Sequence, residues 1–373
     1  MNLRIFGWSY AITAISLVIA FIYAGPTGLF LCAILGILEI SLSFDNAVVN
    51  ATVLDRMSEF WQQIFLTIGI IIAVFGMRLV FPLLIVAVTA GLNPVESLTL
   101  ALERRPESDP GSYAALLNEA YPQIAAFGGM FLLMLFLDWM FEDRDIKWLT
   151  WLERPLAKIG QLNQLSVVVA LVTIVVLANT LAENPEIVLV SGALGVVTYL
   201  TVNGLGELFD TASVIGGDQP DADSTAANGS GPSTLAKATG KAGFFLFLYL
   251  EVLDAAFSFD GVIGAFAITT DPIIIALGLG LIGAMFVRSL TVFLVRKGTL
   301  NDYVFLEHGA HWAIGALAII LLIGIGFHVN EVLTGLLGVA FIGAAFLSSI
   351  LRNRRLAADG VDTHKSAEEL AAK

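Results

Sequence analysis

The chain is dominated by apolar runs that are too long and too numerous for a soluble domain. Ten windows, at roughly 5–24, 27–49, 64–90, 123–141, 166–182, 186–204, 243–268, 273–295, 313–328 and 332–351, approach or exceed the ~18–20 residues a helix needs to cross a bilayer. Charged residues make up only 14% of the 373 positions, against roughly 25% in soluble domains. The fold class expected is therefore an all-α polytopic membrane protein with about ten transmembrane helices, in contact with lipid. The opening "MNLRIFGWSYAITAISLVIAFIYAGP" lacks a small-residue cleavage signature and reads as a retained first helix, not a leader. The single Cys32 excludes a disulfide framework and a thiolate metal cluster. A net charge of −13 argues against nucleic acid as a partner.

Loop charge sets the expected orientation. With the N-terminus inside, the inner segments hold Arg4, Arg56, Arg144, Lys147, Arg154, Lys158, Lys237, Lys241, Arg296, Lys297, Arg352, Arg354 and Arg355. The outer segments hold only Arg104 and Arg105. Both termini are then cytoplasmic. The glycosylation triplets at Asn50 and Asn228 fall on the inner side and are read as chance.

Within the second run stands "LEISLSFDNAVVNA", residues 38–51, and within the seventh "LEVLDAAFSFDGVIGAFA". Aligning the Ser-Phe-Asp phrases pairs Glu39 with Asp254, Ser43 with Ser258 and Asp45 with Asp260. A buried-looking arginine follows each, Arg78 and Arg288, in the next run. The two motif helices run in opposite directions in this topology, the mark of an inverted-topology internal repeat with a shared midplane site. The expected layout is a first helix (1–26), repeat 1 (27–142, with an outer loop 91–122 holding short amphipathic helices), intervening helices (143–215), a Gly/Ser/Asp-rich cytoplasmic linker (216–242), repeat 2 (243–331), a last helix (332–351) and a cytoplasmic tail (352–373).

A carboxylate at mid-membrane costs on the order of 2.5–3.5 kcal/mol, so Glu39, Asp45, Glu251, Asp254 and Asp260 together approach 10–15 kcal/mol. Two arginines cannot neutralise five acids, which leaves protons or a metal ion. The donors are oxygens, with the Asn46 amide, and no Cys or His lies in either motif; such donors suit Mg2+, Ca2+ or Mn2+. An intact helix would not aim acids six residues apart at one point, so broken turns are expected at both Ser-Phe-Asp phrases. Ser43 and Ser258 are read first as packing serines, and Arg78 and Arg288 as counter-ions. His308 and His311, in "FLEHGAHW", stand at an inner mouth either as a secondary metal or proton port or as part of a capped helix start.

"EISLSFDNAVV" resembles the first motif of the TerC family of membrane proteins, a branch of the LysE-like transporter superfamily. "LEVLDAAFSFDGVIGAFAITTDPIIIALGLGLIGAMFVRSL" resembles its second. The family is associated with tellurium-resistance clusters and, in several members, with manganese efflux. The resemblance implies a bacterial inner-membrane protein in which Glu39, Asp45, Asn46, Glu251, Asp254 and Asp260 form the metal site. Two departures stand out: Gly261 replaces a serine and Ile263 a proline that would break the backbone. The function expected is export of a divalent cation, Mn2+ foremost, by alternating access coupled to proton exchange, since the chain has no ATP-binding loop. Rivals are export of another small cationic solute and a non-transporting membrane component that docks stress-resistance proteins. An intramembrane aspartyl protease using Asp45 and Asp260 lacks the Gly-x-Gly-Asp context, and no enzyme activity is expected. A homodimer is compatible with the sequence.

Overall fold

The computed structural model describes residues 2–358 apart from 104, 107, 145, 163, 216–237, 239, 270, 297–302, 328 and 330. Arg104, Lys237, Lys297, most of the linker and the tail from 359 onward therefore lie outside the described residues. The described residues are helical and form no strand beyond one isolated bridge.

Helix α1 spans Asn2–Leu42, but its middle is broken: Ala24 and Gly25 leave helical geometry, Gly25 at φ 64°, ψ −155°, directly before Pro26. Glycine tolerates this left-handed φ, and the proline cannot donate to the turn before it. The break falls in the gap between the first two predicted runs. Helix α2 (Phe44–Asp55) follows after Ser43, then α3 (Glu59–Ile64), two π-helical stretches π1 (Phe65–Gly69) and π2 (Ile72–Val80), and α4 (Phe81–Thr89). Helix α5 (Pro94–Leu102) starts with a capping box between Asn93 and Glu96 and lies at 112° to α4. It is the short helix expected in the 91–122 loop.

The next helix, α6 (Tyr113–Phe141), starts ten residues before the predicted boundary at 123, under an N-cap from Ser112 to the Ala115 N–H. Its most apolar window is 78% buried, so α6 is the central post. Glu119 and Pro122 dilute hydropathy there, but burial of Tyr113, Leu117 and Ala120 fixes the helix. Around it stand α7 (Thr150–Ile159), α8 (Leu165–Thr180), α9 (Pro185–Ile215), α10 (Gly240–Ile268), α11 (Pro272–Ile275), π3 (Ala276–Gly283), α12 (Ala284–Arg296), α13 (Leu306–Gly324) and α14 (Glu331–Ala358). Helix α9 runs eleven residues past its predicted end, and α10 begins inside the predicted 216–242 linker.

Every predicted window thus coincides with helix. Six helices among the described residues are by themselves long and apolar enough to cross a membrane, α1 counting once for two predicted spans; there are seven if the bent α4–α5 pair is counted as one broken span. The outermost, α1 and α14, are only 17% buried over their apolar windows, with Ile22, Phe30, Leu336 and Leu347 exposed. Apolar surface on that scale is covered by lipid, not water. The protein is a multi-pass helical membrane protein.

Two apolar cores hold the bundle. One joins α2, α6, α8, α9, α10 and α13; the other joins α1, π3, α11 and the start of α6. Buried Ser9 links α1 to α12, sharing a 2.7 Å hydrogen bond with Ser289 and donating to the Met285 carbonyl. The chain re-entering before α10 is fastened to the end of α2: the Ala238 N–H donates to the Arg56 carbonyl at 2.8 Å, and the Ser58 N–H donates to the Ala238 carbonyl at 3.0 Å.

Candidate functional site

Glu39 lies near the end of α1, facing inward and 2% exposed. One turn later the helix is interrupted at Ser43 (φ −96°, ψ 14°), although backbone hydrogen bonds continue on both sides of it. As the residue before α2, Ser43 does not cap it. Its hydroxyl instead donates to Glu39 Oε1 at 2.5 Å, and the Arg78 guanidinium donates to the same oxygen at 2.5 Å. Arg78 is 3% exposed and comes from π2. This is the expected break at the first Ser-Phe-Asp phrase, in mild form.

At the second phrase the expectation of a broken turn fails. Helix α10 is continuous from Gly240 to Ile268, through Ser258 and Gly261. Position 263 holds isoleucine, which keeps its N–H, so nothing removes a hydrogen bond from the ladder. Asp254, 5% exposed, accepts from the Asn46 side-chain amide at 2.5 Å, joining α10 to α2 across 208 residues of sequence. Arg78 and Glu39 both lie within electrostatic reach of Asp254. Glu251 is 6% exposed, one turn before Asp254 on the same face. Neither of its carboxylate oxygens has a hydrogen-bond partner among the described residues, nor does Asp254 Oδ2 or Asn50 Oδ1.

Two glycines seat the glutamates. A Cβ on Gly69, the last residue of π1, would lie 2.5 Å from Glu251 Oε1; a Cβ on Gly283, the last residue of π3, would collide with the Glu39 side chain. Both π1 and π3 therefore end in a glycine that receives the glutamate of the other motif. π-turns widen a helix and shift its hydrogen-bond register, and they concentrate at functional sites. At π1 the Leu66 carbonyl accepts from Arg288 Nε at 3.0 Å. Gly261, which stands where the resembled motif has serine, leaves room for Glu39: a Cβ there would be 2.8 Å from Oε2.

Beside this cluster lies a cavity of about 30 Å³ lined by Asn50, Gly69, Arg78, Asp254, Arg288 and Thr291. It is large enough for one water or one bare ion. Asp254, Asn50 and Thr291 offer it oxygens of the kind a hard cation takes, while the side chains of Arg78 and Arg288 bring positive charge to the same lining. Among the described residues no three His, Cys, Asp or Glu side chains converge on one point at metal-binding distance. Glu39 is paired with Arg78 and Asp254 with Asn46. The side chains of Asp45, Ser258 and Asp260 lie outside the described residues.

His308 and His311 belong to a different cluster, on α13. His311 stacks on Trp139 with ring centroids 4.5 Å apart, and His308 meets the same indole edge-on at 5.2 Å. His308 Nε2 bonds the Ile146 carbonyl and His311 Nδ1 the Glu307 carbonyl, both at 2.9 Å. Buried Glu153 lies 3.7 Å from His308 Nε2 and accepts from the Trp148 and Leu149 N–H groups at 3.1 Å, fixing the start of α7. Nearby, the Tyr199 hydroxyl donates to Asp138 at 2.7 Å, tying α9 to α6.

The sequence reading takes Asn50 only as a chance glycosylation triplet and Gly283 only as a close-packing glycine, and it assigns nothing to Gly69. The signal for Asn50 was present, an amide four residues after Asn46 on the same helical face. Both glycines sit in apolar runs, where close helix packing is sufficient reason for a glycine.

No curated protein and no solved structure matches the chain. A family model described as a protein of unknown function (DUF475) matches residues 44–356 and so takes in the Asn46–Asp254 pair, π1 to π3 and Arg78. The chain belongs to the DUF475 family.

Proposed function

We propose that the protein is a transporter that exports a divalent cation, Mn2+ foremost, in exchange for protons. The observation that carries this reading is the buried acid cluster: Glu39, Glu251 and Asp254 are each at most 6% exposed, inside apolar helices, and three of their oxygens have no hydrogen-bond partner among the described residues. An uncompensated buried carboxylate is costly. Proton or cation occupancy offsets that cost, and an alternation between the two is ion exchange. The resemblance of both acidic phrases to TerC motifs points the same way and adds Asp45 and Asp260 to the proposed ligands.

The chain's own groups divide the work. Glu251 and Asp254 offer oxygens to the cation, with Asn46 holding one Asp254 oxygen in place. Arg78 neutralises Glu39 and supplies positive charge to the cluster while no cation is bound. Exporting a divalent cation against 100 mV, inside negative, costs about 4.6 kcal/mol at roughly 2.3 kcal/mol per charge, which an inward proton flux offsets.

The alignment of the two Ser-Phe-Asp phrases, Glu39 on Asp254 and Asp45 on Asp260, supports an inverted repeat in a ten-helix bundle. The charge bias of the loops supports cytoplasmic termini in a bacterial inner membrane. The reading is of a carrier, not an enzyme.

Everted membrane vesicles test it. Radioactive Mn2+ should accumulate when the lumen is made acid, and Asp254→Asn should abolish accumulation while purifying as a folded protein. Wild-type accumulation by a folded Asp254→Asn variant, or none by the wild type, rejects the reading.

A further inference from the structure

Helix α7 (Thr150–Ile159) has ten residues, about 15 Å of helix, and is too short to cross a bilayer. It joins two apolar helices of the bundle, α6, which ends at Phe141, and α8, which starts at Leu165. Such a connecting helix lies at the bilayer surface, and its rotation about its own axis decides what it shows to the lipid. That rotation is fixed from both ends. At the start, the buried Glu153 carboxylate receives the Trp148 and Leu149 N–H groups at 3.1 Å and lies 3.5 Å from Trp312 Nε1 of α13. Ala157, one turn further, is 5% exposed. Just past the helix, Gly160 approaches the Phe141 carbonyl so closely that a Cβ there would collide with it.

Glu153 and Ala157 thus define the inner face, and the opposite face points away from the protein. Trp151, Arg154, Pro155 and Lys158 follow one another at i, i+3, i+4 and i+7 and share it. All four are exposed, Trp151 at 75%, with Ile159 on the flank and Leu162 just beyond the helix also exposed. Neither Arg154 nor Lys158 forms an ion pair among the described residues. The cations of the preceding loop are taken: Arg144 pairs with Glu142 at 3.1 Å and Lys147 with Asp143 at 2.7 Å. The one acid of α7, Glu153, is turned inward, so the outer face carries charge of a single sign around an indole.

We propose that the outer face of α7 docks on the headgroup layer of the membrane and selects anionic phospholipid, with Trp151 at the boundary of headgroups and acyl chains and Arg154 and Lys158 on lipid phosphates. Indoles favour that boundary. Long cationic side chains lay their stems on apolar surface and hold their charge among the headgroups, and a guanidinium takes a phosphate through paired N–H groups. A zwitterionic headgroup offers the same phosphate with an ammonium that cancels its field; an anionic one keeps the field that attracts the two cations. The inference does not rest on cation export, since α7 contributes no residue to the lining beside Asp254.

Tryptophan quenching in vesicles tests it. The full chain is reconstituted in phosphatidylcholine with a minor fraction of phosphatidylglycerol, and bromine is placed on the acyl chains of the phosphatidylglycerol or of an equal fraction of the phosphatidylcholine. Subtracting the Trp151→Phe protein isolates the signal of that indole. Brominated phosphatidylglycerol should quench Trp151 at least threefold more than brominated phosphatidylcholine. In the Arg154→Gln/Lys158→Gln background, measured against its own Trp151→Phe control, the two lipids should quench alike. Arg105→Gln, at a cation already paired with Glu103 and Asp109, and Asp254→Asn should leave the threefold contrast in place. Equal quenching by both lipids in the wild type overturns the proposal, as does a contrast that survives the double substitution. No quenching of Trp151 by either lipid, the result for a face in water or covered by a second copy or another protein, overturns it as well. Failure of Mn2+ accumulation would leave these readings untouched.

Discussion

Glu39 rests on Gly283: no side-chain atom fits at that glycine, because its Cβ would enter the volume of the glutamate. Gly283→Ala should therefore destabilise the protein by about 1–3 kcal/mol, the usual cost of overpacking. Gly69→Ala, which crowds the Glu251 carboxylate, should do the same. Gly343 has nothing within 4 Å of its would-be Cβ, so Gly343→Ala should be neutral or stabilising by up to ~1 kcal/mol, the helix-propensity difference. Unfolding midpoints of the purified variants check the contrast; equal behaviour at positions 283 and 343 refutes it.

Arg78→Gln strands the Glu39 carboxylate, whose Oε1 then keeps, among the described residues, only the Ser43 hydroxyl. Breaking a buried pair from one side costs about 3–5 kcal/mol. Glu39→Gln added to Arg78→Gln should restore part of that loss. A double-mutant cycle gives the coupling, expected at more than ~1 kcal/mol for groups in contact. Additive effects would mean that the pair contributes nothing as a pair.

Glu251→Gln should separate stability from function. The neutral amide has nearly the same shape and replaces a buried carboxyl group that no described hydrogen bond compensates. The melting temperature should stay level or rise, while Mn2+ accumulation in everted vesicles falls at least tenfold. A marked loss of stability would show that the carboxylate has a structural partner.

Glu153→Ala should loosen α7. Its carboxylate receives the Trp148 and Leu149 N–H groups and also lies 3.5 Å from Trp312 Nε1. Losing these should cost about 1–3 kcal/mol, because buried donors are left unsatisfied. Hydrogen exchange at Trp148 and Leu149 should accelerate while exchange in the core of α6 does not change.

Much of this architecture is legible in the chain. The apolar windows coincide with helices, because sustained hydropathy leaves the backbone few alternatives in lipid. The acids stand out because their burial is expensive, and the fold brings Glu39, Ser43, Asn46, Arg78, Glu251 and Asp254 into one region. Other features are hidden for physical reasons. A π-turn uses the same residue types as an α-turn, so π1, π2 and π3 leave no trace in hydropathy. The start of α6 is fixed by packing of Tyr113 and Leu117 against distant helices, not by local apolarity. The expected break at Ser258 rested on two acids needing one point, and the continuous α10 shows that a partner on α2 can reach Asp254 without unwinding anything.

The pair α2 and α10 is riveted at two levels: by the Ala238 bridge to Arg56 and Ser58 at one end, and by Asn46 to Asp254 further along. Two fasteners along one seam oppose rotation of α2 against α10. The interruption at Ser43 lies just outside that fastened pair, where α1 and its glutamate meet it.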